Sequence, residues 1–144
     1  MGSDCVFCAI VAGDTPAHVV ATDDMTVAFL DTRPVFPGHV LLVPREHHET
    51  LTDLPPALVA PLFEAARRLA RAVEAGMDAH GTFVATNNRV SQSVPHLHVH
   101  IVPRRRKDGL RGFFWPRQRY GSEEEITEVA ARIRAATSDE TGSC

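Results

Sequence analysis

Apolar and polar positions alternate most strictly between residues 96 and 102, which read His-Leu-His-Val-His-Ile-Val. An extended chain has a side-chain period of two. His96, His98 and His100 are therefore expected on one face, and Leu97, Val99 and Ile101 in a core on the other. The strand predicted here covers 96–103 and stops at Pro103. Val19 to Ala21, Thr26 to Leu30 and His39 to Pro44 read as further strands, the last buried and closed by its proline. Thr82 to Thr86 is a fifth. Between them Leu58 to Met77 carries a different period, with Leu58, Leu62, Ala66, Leu69 and Val73 forming a stripe at helical spacing. Pro55 and Pro56 suit its first turn, and Gly76 or Gly81 its end. Pro61 predicts a kink or a later start. Ser122 and Glu125 resemble a capping box ahead of a shorter helix marked by Ile126, Val129 and Ile133. Strands in antiparallel-compatible order around one long helix predict an α+β fold rather than a repeated βαβ series.

Length and charge narrow the class. A chain of 144 residues is read as a single domain over 1–137, followed by a flexible tail over 138–144. The net charge of −3 argues against general nucleic-acid binding. No apolar run approaches the ~20 residues needed to span a bilayer, and the first residues lack the basic start of a signal peptide. The expected compartment is the cytoplasm, where Cys5, Cys8 and Cys144 stay reduced.

Three imidazoles on one strand face are costly to bury and contribute little packing, so chemistry explains them better. A histidine near its ordinary pKa is mostly neutral at pH 7 and keeps one lone pair. It can attack an electrophile if an acceptor holds the other nitrogen's proton. Two histidines spaced His-x-His can also converge on a catalytic metal. Cys5-x-x-Cys8 suggests a metal or a redox pair, although the βαβ setting of a thioredoxin-like motif is missing. Alone it supplies two of zinc's four ligands.

Several separated segments agree with one family. Cys5 to Ile10, Ala28-Phe29-Leu30-Asp31, Gly38 to Pro44, Pro44-x-x-His47 and Gln92-Ser93 leading into the histidine strand resemble, in order, the landmarks of the histidine triad (HIT) superfamily. The resemblance covers about residues 5–104. It implies a HIT-like fold, with an antiparallel sheet of about five strands, one long helix and a short C-terminal helix, and a homodimer. It also implies nucleotide binding and reaction at the α-phosphate. His98 would be the nucleophile, forming a nucleotidyl-histidine that water releases as a nucleoside monophosphate. His100 and Ser93 would contact the phosphate or the departing group. Zinc-binding members imply a structural Zn²⁺ on Cys5, Cys8, His47 and His96, with His48 as the competitor of His47.

The same resemblance assigns a pocket for a purine nucleotide, adenosine by default. Val6, Phe7, Ile10, Phe29 and Leu30 would line the base, and Asp31 would accept from the ribose hydroxyls. Asn87 or Asn88 would reach the sugar or phosphate, and main-chain N–H groups around Gln92 would meet the phosphate. Two features depart from the pattern. Ser91 stands where glycine commonly precedes the glutamine, and the loop from Asn87 to Gln92 is short. Arg104 to Lys107 reads as a solvated edge or a phosphate contact. Phe113, Phe114 and Trp115 are expected in a core or across a dimer interface. The substrates implied are nucleoside phosphoramidates or dinucleoside polyphosphates. The alternatives are a nucleotide sensor with incidental hydrolysis, and nucleotidyl transfer to another acceptor.

Overall fold

The computed structural model describes residues 4–110 and 117–141, with side chains to residue 137. The chain divides into two compact units, Met1–Asp108 and Gly109–Cys144. The first holds helix α1 (Val6–Ala12), strands β1 (Val19–Thr22), β2 (Thr26–Leu30) and β3 (Val40–Pro44), helix α2 (Pro56–Gly76), and strands β4 (Gly81–Ala85) and β5 (Val99–Arg104). The second holds helix α3 (Glu123–Thr141). Its capping box is present in part: the Glu125 N–H donates to Ser122 Oγ at 3.1 Å. The helix runs past residue 138, longer than the short helix expected. Phe113, Phe114 and Trp115 lie outside the described residues.

The five strands form one antiparallel sheet in the order β1-β2-β3-β5-β4. Its two faces are buried against different partners. On one, Ala28, Val40, Leu42, Val99 and Ile101 pack with Leu97 under the α2 stripe of Leu58, Leu62, Ala65, Ala66, Leu69 and Val73. On the other, Val27, Phe29, Leu41 and Val43 pack with Phe7 of α1. Alternate residues of β2 and β3 thus serve two cores, which is why both strands read as continuous apolar runs.

Helix α2 starts at Pro56 and contains Pro61 in its second turn, so the later start is not observed. The helix is carried by its buried stripe rather than by propensity. It ends at Gly76, and the left-handed residue beyond it is Asp78, φ 52°. Gly38 closes the loop before β3 at φ 98°, where a Cβ would lie 2.6 Å from Met77 Cγ. A side chain there would displace the Met77 side chain and hold a left-handed backbone that L residues rarely adopt.

Two elements differ from the pattern-based expectation. Helix α1 was not anticipated, because seven residues are too few to establish a helical period. The histidine strand begins at Val99 rather than His96. Strand β3 pairs with β5 only from Val40 to Leu42, matching Ile101 to Val99. Beyond that point the Pro44 carbonyl accepts from the His96 ring, Nε2 to O 3.0 Å, and the Leu97 N–H donates to the His48 carbonyl at 2.7 Å. Side-chain and loop bonds replace the ladder, yet the alternation persists: Leu97, Val99 and Ile101 enter the α2 core.

Candidate active site and metal centre

The segment entering β5 places three histidines on the α1 side of the sheet, and each ring meets a different partner. His96 is fully buried. Its Nε2 lies on a carbonyl oxygen, which can only accept, so Nε2 carries the proton and Nδ1 keeps its lone pair. That Nδ1 is 3.4 Å from Cys5 Sγ, 3.5 Å from Cys8 Sγ and 3.2 Å from His47 Nδ1, and His47 Nδ1 is 3.2 Å from Cys8 Sγ. With ordinary zinc bond lengths, the edges of a tetrahedral N/S site are roughly 3.3–3.8 Å. The four donors therefore stand close to the corners of such a tetrahedron. Burial lowers the His96 pKa, which favours the neutral, ligating form. Burial and the neighbouring Cys5 push the Cys8 thiol up, a cost that a shared cation would remove. His48 lies apart from this group, with Nε2 3.1 Å from Glu46 Oε1. The geometry thus favours His47 over His48.

His98 is also buried. Its Nδ1 lies 2.8 Å from the His96 carbonyl, so Nδ1 donates and Nε2 is left bare. The His98 carbonyl accepts from Thr86 Oγ1 at 2.7 Å. Phe7 stands edge-on to the His98 ring at 5.0 Å between centroids. The nucleophile predicted from the sequence is therefore held by its ring, its backbone and its flank.

The third ring is set by a relay that the sequence reading missed. The Val35 N–H donates to His39 Nδ1 at 3.1 Å. His39 Nε2 must then carry the proton, and it donates to His100 Nδ1 at 3.0 Å. His100 is left with its Nε2–H as a donor. Burial, then the neighbouring His98 and His39 rings, lower the His100 pKa to about 4, so the ring is neutral at pH 7. Burial also lowers the pKa of His39, with Asp31 opposing it. His39 had been read as the first residue of a strand. Its near-complete burial, 3% exposed, depends on long-range packing that local pattern does not reveal.

His98 and His100 border a cleft of about 270 Å³. Val6, Phe7, Ile10, Phe29, Leu30, Asp31, Ser93, His98 and His100, all named above as candidates, line it together with Pro16, Ala17, Thr32, Leu41 and Val94. Asp31 Oδ1 accepts from the Arg33 N–H at 2.9 Å, and Oδ2 lies 3.8 Å from His39 Nδ1. Asn87, Asn88 and Gln92 are not among the lining residues. Asn88 Oδ1 accepts from the Leu51 N–H at 2.9 Å. Gln92 Oε1 accepts from the Arg89 N–H at 2.7 Å, and its Nε2 donates to the Glu49 carbonyl at 2.6 Å. Both side chains brace the loop. Asn87 Nδ2 reaches the Ser91 carbonyl at 3.3 Å. Arg104 pairs with Asp108 at 2.6 Å.

A larger apolar cleft of about 410 Å³ opens on the other face, between α2 and strands β1 to β3. Its charged lining residues are Asp23 and Arg68, paired at 3.4 Å, and no histidine or cysteine reaches it. The chemistry therefore lies on the α1 side.

Comparison with known proteins settles the kinship: residues 12–107 match the HIT domain. The chain belongs to the HIT domain family. Among its relatives is the adenylylsulfatase HINT3 of Arabidopsis thaliana, 36% identical over 110 residues, 75% of this chain and 56% of that protein. Another is the adenosine 5′-monophosphoramidase HNT1 of Saccharomyces cerevisiae, 32% identical over 115 residues, 79% of this chain and 71% of that one. A zinc-bound histidine triad family protein from Mycobacterium smegmatis superimposes with a TM-score of 0.73 at 36% identity, covering 94% of this chain and 99% of that one. The Cys5, Cys8, His47 and His96 group is compatible with the same metal. Among the described residues of this HIT protein, no helix is long and apolar enough to cross a membrane.

Proposed function

We propose that this HIT protein is a nucleotide hydrolase acting at the α-phosphate of adenosine phosphoramidates or dinucleoside polyphosphates. The observation that carries the reading is the tautomer of His98. Its Nδ1–H is spent on the His96 carbonyl, which leaves a lone pair on Nε2 at the edge of the cleft. His98 Nε2 attacks the α-phosphorus, and the bond from phosphorus to the leaving oxygen or nitrogen breaks. The leaving group departs with that electron pair and takes up a proton. Water then attacks the nucleotidyl-histidine, releasing a nucleoside monophosphate and restoring His98.

The neighbouring groups suit this course. His100 offers Nε2–H to a phosphate oxygen or to the leaving atom as a fixed donor that needs no reorientation. Ser93 on the cleft wall offers a hydroxyl to the same region. The apolar walls from Phe7, Ile10 and Phe29 suit a purine, and Asp31 suits the ribose diol. Of the two asparagines, Asn87 is the better candidate for a substrate contact, because the Asn88 carbonyl oxygen is already committed to the 51–53 turn. Cys5, Cys8, His47 and His96 would hold a structural zinc, which cross-links α1 to the sheet and supplies no reacting group. A homodimer is the favoured assembly.

The test is a substrate panel: an adenosine phosphoramidate, adenylyl sulfate, diadenosine tri- and tetraphosphate and a nucleotide sugar, each with wild type and His98→Ala. Release of AMP that disappears in His98→Ala is expected. Cleavage of none, or undiminished turnover in the variant, overturns the mechanism.

A further inference from the structure

We propose that metal occupancy of the Cys5, Cys8, His47 and His96 group controls nucleotide affinity, because the metal holds α1 as the movable base-side wall of the cleft. The inference rests on the nucleotide-hydrolase reading for the identity of the ligand.

The connectivity is short. Phe7 lies between the two cysteines on α1. It packs edge-on against His98 at 5.0 Å and Phe29 at 5.3 Å. Val6 and Ile10, from the same helix, line the cleft beside it. A displacement of α1 therefore removes three walls of the pocket together.

The fastening of α1 is unusually thin. Seven residues are too few for a helix to persist alone. Besides the backbone bonds from Asp14 and Thr15 that close its own C-terminus, the helix and its N-cap Cys5 reach distant parts of the chain through cysteine sulfur contacts with His47 and His96. Its other anchor is the apolar packing of Phe7 and its neighbours. Without a cation, those sulfur–nitrogen contacts are weak bonds between thiols and imidazoles. With one, they become four bonds to a common centre. The same centre includes His96, whose carbonyl holds the His98 ring. The site thus touches the base wall through Cys8 and the nucleophile through His96.

If α1 is docked in less than about a tenth of metal-free molecules, apparent nucleotide affinity falls by roughly ten-fold or more. Two measurements on the whole wild-type chain test this, with zinc bound, after chelation, and after zinc is returned. The first is amide hydrogen exchange over residues 6–12 compared with β2, β3 and β5. Loss of protection confined to α1, and restored by zinc, is expected. Unchanged α1 protection overturns the proposal, as does equal loss across the sheet, which would make the metal a ligand of the entire fold. The second is AMP affinity by calorimetry, expected to weaken ten-fold or more on chelation and to recover with zinc. Equal affinity in both forms overturns control of the pocket. AMP binding to neither form, with α1 still responding to zinc, refutes the nucleotide reading and with it the control of affinity, while leaving α1 established as metal-tethered.

Discussion

Replacing His100 with glutamine should flatten part of the protein's acid sensitivity, and the size of that part follows from the relay. His100 accepts from His39 Nε2–H, and that proton is fixed because the Val35 N–H occupies the far side of the His39 ring. A proton arriving on His100 Nδ1 would face another N–H, inside a buried site with His98 alongside. Burial, then the His98 and His39 rings, depress the folded-state pKa to about 4, against an ordinary value of 6.5. Above pH 6.5 the ring is neutral in both folded and unfolded chains, and it makes no difference to pH-dependent stability. As pH falls through 6.5, the unfolded chain takes up a proton that the folded chain refuses until pH 4. Stability is therefore lost as pH falls between 6.5 and 4, by about 2 kcal/mol at pH 5 and about 3 kcal/mol at pH 4.

The assay is urea unfolding of wild type and His100→Gln at pH 7 and pH 5. Glutamine retains an acceptor for His39 and does not titrate. Acid losses at groups remote from His100 are common to both proteins and cancel in the difference. The wild type should lose about 2 kcal/mol more than the variant between the two pH values. Imidazole NMR supplies an independent reading: His100 should remain the Nε2–H tautomer down to pH 5. Parallel pH dependences in the two proteins, or a His100 titration near 6.5, would refute the relay.

Three shorter tests probe the remainder of the site. Thr86→Val removes the donor on the His98 carbonyl and should lower kcat roughly five-fold with KM nearly unchanged; Thr86→Ser should restore it, and an effect on KM alone would contradict a role in placing His98. Ser91 holds φ 63°, so Ser91→Gly should relieve strain and raise stability by up to about 1 kcal/mol, read as a rise in Tm. A lower Tm would show that the serine side chain contributes more than its backbone costs. Protein purified without chelator should contain about one equivalent of zinc per chain, and Cys8→Ser should lose most of it. Zinc bound equally by that variant would exclude the four-donor site.

Much of the fold was legible because both periods recur over many residues. The α2 stripe from Leu58 to Val73 emerged in full, and the five strands fell within a few residues of their observed limits. The failures have local causes. Helix α1 is too short to declare a period, and what sustains it is Phe7 burial together with cysteine contacts to residues 39 and more positions away. The start of β5 slipped because the strand pattern continues through His96 while the ladder does not. Which residues lack a strand partner is decided by where β3 turns away, and that is a property of two strands together. The side chains of Gln92 and Asn88 show another limit. Amides suit a ligand and a loop clamp equally well, and the choice depends on the Glu49 carbonyl and the Leu51 N–H, both nearly 40 residues or more distant in sequence.

The three histidines mark the limit of pattern reading most sharply. Period two makes them equivalent: same residue, same face, successive positions. Their chemistry differs because each ring's proton is assigned by a different neighbour. The Pro44 carbonyl accepts from the Nε2–H of His96 and leaves Nδ1 facing the cysteines. The His96 carbonyl accepts from the Nδ1–H of His98 and leaves Nε2 bare. His39 fills the Nδ1 lone pair of His100 and leaves Nε2–H to donate. One side-chain type thus presents a lone pair beside two cysteines, a bare Nε2 at the cleft and an Nε2–H donor, the proposed ligand, nucleophile and phosphate partner. Of the three neighbours only the His96 carbonyl lies within two residues of the ring it orients. The other two are brought in by β3, which supplies Pro44 from its last residue and His39 from just before its first. The central strand does more than carry the core: its two ends set the tautomers of the outer histidines, and His98 between them takes its orientation from the His96 carbonyl.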